Sequence, residues 1–226
     1  MGAKHSSEEA WERESRTDLC WEQVQEGLAH AVDFSWAQIK QLHQRFRLLS
    51  GDQPELRPEG FDGVPDLASN PLRARIVHAF FDNRNLGKGS CGVSEAITFQ
   101  DFLGIIAYFR PSLEQAEAPR RDKMRFLFHL YDQDGDGLIT LQEYRRVLED
   151  LLSAANPQED RASVRAMATN VAGGALREAA RASERPPGDG EPYPGIAFED
   201  FVRTWRGIDL EVKMQVSFLN LEALCK

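Results

Sequence analysis

Asp132-Gln-Asp134-Gly-Asp136-Gly137-Leu138-Ile139-Thr140-Leu-Gln-Glu143 is the stretch that decides the fold. Acids stand at its first, third, fifth and twelfth places with glycine at the sixth, the spacing D-x-[DN]-x-[DN]-G-x₅-E. In a tightly curled loop, alternate side chains converge on one centre, and calcium accepts such a set because it takes many oxygens in flexible geometry. Asp132, Asp134 and Asp136 offer carboxylate oxygens, Leu138 its backbone carbonyl, and Thr140 a contact through water. Glu143 is placed to bind with both oxygens, and that extra oxygen favours calcium over octahedral magnesium. Gly137 permits the sharp turn, since a residue without Cβ takes positive φ cheaply. Four carboxylates gathered without a cation would repel one another. One bound Ca2+ is the expectation.

Ile139 points away from such a centre. In paired loops the residue at this eighth place joins a short β-bridge to its counterpart. An aliphatic residue followed five places later by an aromatic one occurs at Leu56 with Phe61, Ile97 with Phe102, Ile139 with Tyr144, and Ile196 with Phe201. An acid stands one or two places before each aromatic: Glu59, Asp101, Glu143, and Asp200 beside Glu199. Such self-similarity predicts four helix–loop–helix units, the first paired with the second and the third with the fourth. The other three loops have lost their ligands. The first has Gly60 at position twelve, and the second runs twenty residues from Asp82 to Asp101 where twelve are needed. The fourth begins acidic, with Asp189 and Glu191, but places Pro194 where glycine belongs and the shorter Asp200 near its end.

Between the loops, apolar residues recur at helical spacing, as in Ile39, Leu42, Phe46 and Leu49 or Tyr144, Val147, Leu148 and Leu151. Ser35 with Gln38 predicts a capping box. Residues 82–95 are turn-rich, 110–121 read as a linker, and 184–195 carry four prolines and three glycines, too many for regular structure. The implied partition is an N-terminal extension (1–33), a first pair (34–109), a linker (110–121), a second pair (122–208) and an amphipathic tail (209–226).

The 226 residues carry 27 Lys and Arg against 36 Asp and Glu, a net charge of −9. That balance argues against nucleic acid, whose recognition needs a basic face. No apolar run approaches the ~20 residues of a spanning helix, the first residues hold no signal-peptide core, and Cys20, Cys91 and Cys225 make no disulfide framework. The composition reads as a soluble, reduced, cytoplasmic protein. Its five histidines form no metal pair or catalytic triad in sequence, and no phosphate-binding glycine loop occurs, so an enzyme is not expected. Met1-Gly2-Ala-Lys-His-Ser6 fits the N-myristoylation pattern at Gly2. One acyl chain holds a membrane only marginally, and Glu8 and Glu9 leave no polybasic patch to help it. Membrane residence would then depend on a membrane-bound partner.

With four units, one intact loop and Gly2 in place, the chain resembles the calcineurin-B homologous proteins, a family of EF-hand proteins. The likeness is strongest in LSGDQPELR (49–57), VPDLASNPLRARIVHAFFDNRNL (64–86), FLFHLYDQDGDGLITLQEYRRVLEDLLS (126–153) and FEDFVRTWRGIDLEVKMQVSFLN (198–220). It implies an all-α fold of four EF-hand units in two pairs. It also implies a calcium-binding regulator that takes the juxtamembrane helix of a plasma-membrane sodium/proton exchanger in an apolar groove. Inhibition of calcineurin phosphatase is implied as well, with residence at the inner face of the plasma membrane and in the nucleus. A helix-in-groove mode nominates Ile105, Ile106, Phe109, Phe126, Leu130, Leu148, Leu151, Leu152, Phe201 and Trp205 as lining, the alternative for each being ordinary core. The tail from Leu210 to Leu219 is amphipathic and suited to cover the groove. About fifteen extra residues before Phe34 depart from the family. They are compatible with a longer helix, a splice product or a groove occupant.

Overall fold

The computed structural model describes residues 34–89, 91–109, 117–184 and 193–205. Gly2, the extra residues before Phe34 and the tail from Leu210 lie outside them. Helix α1 (Trp36–Ser50) starts where the capping box predicts: the Ser35 hydroxyl accepts the Gln38 N–H at 3.3 Å, and Gln38 Oε1 accepts the Ser35 N–H at 2.8 Å. A 3₁₀ turn (Pro58–Phe61) and a single turn of helix, α2 (Pro65–Ala68), lead to α3 (Arg73–Phe81). Helix α4 (Phe99–Tyr108) leaves the second loop. Helix α5 (Glu117–Tyr131), strand β1 (Leu138–Ile139) and α6 (Leu141–Ala155) form the third unit. Helix α7 (Arg161–Ala182), strand β2 (Ile196–Ala197) and α8 (Phe198–Thr204) form the fourth.

Helix α5 begins inside the stretch read from sequence as linker, 110–121. Pro119 is the reason for the difference. It punctuates a loop, yet it is equally at home in a helix's first turn, where the N–H it lacks would have no partner.

The pairing of units follows the eighth-position rule. Leu56 and Ile97 form an isolated antiparallel bridge with N–H···O bonds of 2.8 and 2.9 Å. Ile139 stands opposite Ile196 in the β1–β2 ladder. All four residues are buried. The twenty-residue second loop accommodates its surplus by closing on itself. Asp82 bridges Val93, and the Asn83 N–H donates to the Gly92 carbonyl at 2.9 Å, so the chain returns to Ile97 in register.

The core is an aromatic cluster. Phe61, Phe80, Phe81, Phe102, Phe126 and Phe201 are fully buried. Phe126 of α5 packs edge-on against Phe80 of α3 (centroids 6.0 Å apart) and Phe109 (5.0 Å), so the two pairs share one apolar core. Edge-to-face contacts of this kind add stability beyond the area they bury. At the rim, Arg75 of α3 reaches Asp150 of α6 at 2.8 Å. Val164, Ala168, Ala172, Leu176 and Ala179 form the buried stripe of α7, which packs on α6. Alanine in that stripe lets the two helices approach closely.

Candidate calcium site

The loop from Asp132 to Glu143 is held in shape by its own carboxylates. Asp132 Oδ1 accepts the Gly135 N–H at 2.9 Å and Asp132 Oδ2 the Gly137 N–H at 3.2 Å. Asp134 Oδ1 accepts from the Asp136 N–H (3.2 Å) and Asp136 Oδ1 from the Leu138 N–H (2.8 Å). Gly137 has φ +88°, the left-handed value its place in the motif demands.

The loop brings Asp132, Asp134 and Asp136 together: one carboxylate oxygen from each lies within 4.8 Å of the others. Asp132 is buried while Asp134 and Asp136 are exposed, so the cluster opens to solvent on one side. Three hard, anionic oxygens converging on an accessible centre fit a divalent oxygen-seeking cation. Burial is the main influence on the Asp132 carboxyl and leaves it above the ordinary carboxylate range. The Arg84 guanidinium and the Gly135 N–H pull it down, and the nearby Glu143 adds to the upward push.

Glu143 and Thr140 have a double part. The Thr140 hydroxyl is the N-cap of α6. It accepts the Glu143 N–H at 3.3 Å and donates to Glu143 Oε2 at 2.8 Å, while Glu143 Oε1 accepts the Gln133 N–H at 3.0 Å. The buried Glu143 therefore ties the start of the loop to its end. Leu138 stands in β1 opposite Ala197.

The ligand-poor loops differ in how they are closed. At Gly60, a Cβ would sit 2.3 Å from the Leu49 carbonyl oxygen, so position twelve of the first loop has no room for any side chain. Asp200, in the fourth, is buried against Arg203 (2.8 Å) and accepts the Tyr193 hydroxyl at 2.8 Å. Burial, and then that hydrogen bond, push the Tyr193 phenol above its ordinary pKa, so it stays a donor. Asp189 and Glu191 lie outside the described residues.

Arg84 joins the site without any counterpart among the sequence motifs. It belongs to the second loop and lies across the third: its Nη1 donates to Asp132 Oδ2 at 2.8 Å and its Nη2 to the Asp132 carbonyl at 2.8 Å. The one signal for it is an arginine two residues after Asp82, at the third place of a loop whose counterpart carries Asp134 there. Of the nominated groove residues, Ile105, Ile106, Phe126, Leu130 and Phe201 are buried in the core. Phe109, Leu148, Leu151, Leu152 and Trp205 are half-buried.

Paired helix–loop–helix units bridged at the eighth position, with an acidic twelve-residue loop in the third, define an EF-hand protein, and a family model described as the EF hand domain matches residues 123–151. Across the whole chain, 50% identity over 233 aligned residues relates it to Calcineurin B homologous protein 3 of Homo sapiens, with all of both chains covered. The protein of that name from Gallus gallus is 50% identical over 87% of this chain and 92% of its own length. A calcineurin B protein of Dictyostelium discoideum, type 2, is 28% identical over 66% of this chain and 74% of its own. The chain belongs to the calcineurin B homologous protein family. It is a calcium-binding regulatory protein and not an enzyme.

Proposed function

We propose that the chain is a calcium-binding regulatory adaptor for a plasma-membrane sodium/proton exchanger, binding its cytoplasmic juxtamembrane helix and promoting its maturation, surface stability and activity. The observation that carries this reading is family membership along the full chain. The half-buried apolar residues Phe109, Leu148, Leu151, Leu152 and Trp205 supply side chains of the kind an amphipathic helix docks on. One calcium per chain is held by Asp132, Asp134, Asp136, Leu138, Thr140 and Glu143. Myristoylated Gly2 adds a weak membrane contact, and residence is cytoplasmic, at the inner face of the plasma membrane, and nuclear.

Co-purification with exchanger tail peptides, with and without a chelator, tests the partner; absence of binding in both conditions overturns it. Gly2→Ala lowers membrane association and leaves peptide binding intact. Loss of peptide binding in the unacylated protein would contradict that division.

A second reading, inhibition or regulation of a calcineurin-type phosphatase, is favoured by the Dictyostelium discoideum relative, whose name makes it part of calcineurin. Competition between an exchanger helix and a phosphatase helix for one protein sample separates the two, since the true partner displaces the other.

A further inference from the structure

The second loop has lost its calcium ligands but not its cation. Asp82, at its first position, is buried and accepts the Arg84 N–H at 2.9 Å, Arg84 Nε at 3.0 Å and Arg84 Nη2 at 2.6 Å. Arg84 stands at the third position, and the two are a forked ion pair well shielded from solvent. The fork's remaining donors reach Asp132, the first ligand of the third loop, at both its carboxylate and its carbonyl. A second contact runs alongside, the Cys91 thiol lying 3.8 Å from the Gly135 carbonyl.

A lone-pair count shows what this does to Asp132. Each carboxylate oxygen has two acceptor sites. Oδ2 spends both, on Arg84 Nη1 and on the Gly137 N–H. Oδ1 spends one, on the Gly135 N–H, and keeps one. The carboxylate is thereby held with a single oxygen free for a cation, and its rotation is blocked by three donors.

We propose that Arg84 is a positioning residue of the calcium loop in the opposite half: anchored on Asp82, it fixes Asp132 and couples calcium occupancy of the third loop to the order of the second. The proposal rests on the third loop being the calcium site. Two effects of Arg84 oppose each other. Its positive charge repels calcium, but Asp82 neutralises that charge at hydrogen-bond distance, so the pair is close to neutral as seen by the ion. Positioning is what remains. Outer groups that orient metal ligands typically change affinity by ~10–100-fold when removed. Coupling is reciprocal, so whatever the second loop does for calcium, calcium does for the second loop.

The test is calcium titration of the full chain by calorimetry, paired with amide hydrogen exchange of residues 82–93. Asp82→Asn with Arg84→Gln removes the pair at constant net charge, and we expect about tenfold weaker calcium binding. Arg84→Lys keeps the charge but lacks the fork, so it does not restore affinity. A reference double variant, Arg75→Gln with Asp150→Asn, breaks a different polar contact between the halves and leaves affinity within about twofold, as a remote pair should. In the unaltered protein, calcium slows exchange of 82–93. Unchanged or tighter binding in the Asp82/Arg84 variant, full rescue by lysine, or exchange in 82–93 indifferent to calcium would each overturn the proposal. Were the unaltered protein to bind no calcium, the assignment of the site itself would fail, which is a different outcome.

Discussion

The second and third loops begin alike and are filled differently. Asp82 and Asp132 are both buried acids at the first position, and each accepts a backbone N–H from the turn that follows it. In the third loop the next acids, Asp134 and Asp136, complete an anionic cage open to solvent. In the second, Arg84 occupies the place of the second acid and brings its own positive charge. The second loop is thus filled by an internal cation, while the eighth-position bridge holds the pair together. Burial of Asp82 alone would raise its carboxyl, but the Arg84 guanidinium and N–H outweigh it and hold it below the ordinary range. Asp132, with less compensation, stays above it.

The comparison breaks hardest at Glu143. Glu143→Gln removes one of the two oxygens needed for bidentate binding and a unit of charge, and calcium affinity falls by at least about a hundredfold, or ~2.7 kcal/mol. The amide keeps the Thr140 cap through its carbonyl, but its NH2 cannot accept the Gln133 N–H, so the unliganded protein should also lose about 1–3 kcal/mol of stability. Retention of tight calcium binding would move the site elsewhere.

The first loop shows a third arrangement, in which position twelve is closed to any side chain. Gly60→Ala would force a methyl group against the Leu49 carbonyl and the Leu56 side chain. Leu56 also carries the first β-bridge, so neither neighbour yields easily. Overpacking of this kind costs roughly 1–3 kcal/mol. Chemical denaturation checks it, and a cost near zero would mean that the first pair tolerates movement at its bridge.

Acid distinguishes the two loops more gently. His129 of α5 lies against the second loop, its Nδ1 2.7 Å from Asn85 Oδ1. Burial first, then the nearby Arg84, depress its pKa from 6.5 to about 4. The folded protein thus keeps it neutral where the unfolded chain would bind a proton. Stability from this residue is complete above about pH 6.5 and drains away as pH falls toward 4. The loss reaches about 1 kcal/mol near pH 5.5. His129→Gln, which keeps a donor for Asn85, should flatten the stability profile across that window. An unchanged slope would place the proton elsewhere.

Local spacing made much of this legible. The acidic loop, the four aliphatic–aromatic pairs and the Ser35–Gln38 cap are short-range patterns, and the bridges Leu56–Ile97 and Ile139–Ile196 follow from position alone. Arg84 on Asp132 joins residues 48 apart, and no periodicity encodes a contact between loops of different pairs. The groove was legible only as a stripe. Helical spacing marks Phe126 and Leu148 alike as apolar, whereas Phe126 is buried against Phe80 and Phe109 and Leu148 is only half-buried. Pro119 reads as a break because the same residue ends one element or opens the next.

The fourth loop gives the weakest contrast and the sharpest test of a single site. Its Asp200 occupies the structural place of Glu143, at the third position of its helix, but the N-cap there is Ala197 and offers no hydroxyl. The carboxylate turns instead to Arg203 and Tyr193. The Arg203 guanidinium sets a positive charge directly against this carboxylate, and one carbon fewer than glutamate shortens its reach. Asp200→Asn should therefore leave calcium affinity within about twofold, the scale of a remote substitution. Calorimetry that resolved two equal sites, one of them abolished by this change, would show that the fourth loop had kept its metal and that the partners of Asp200 give way to it.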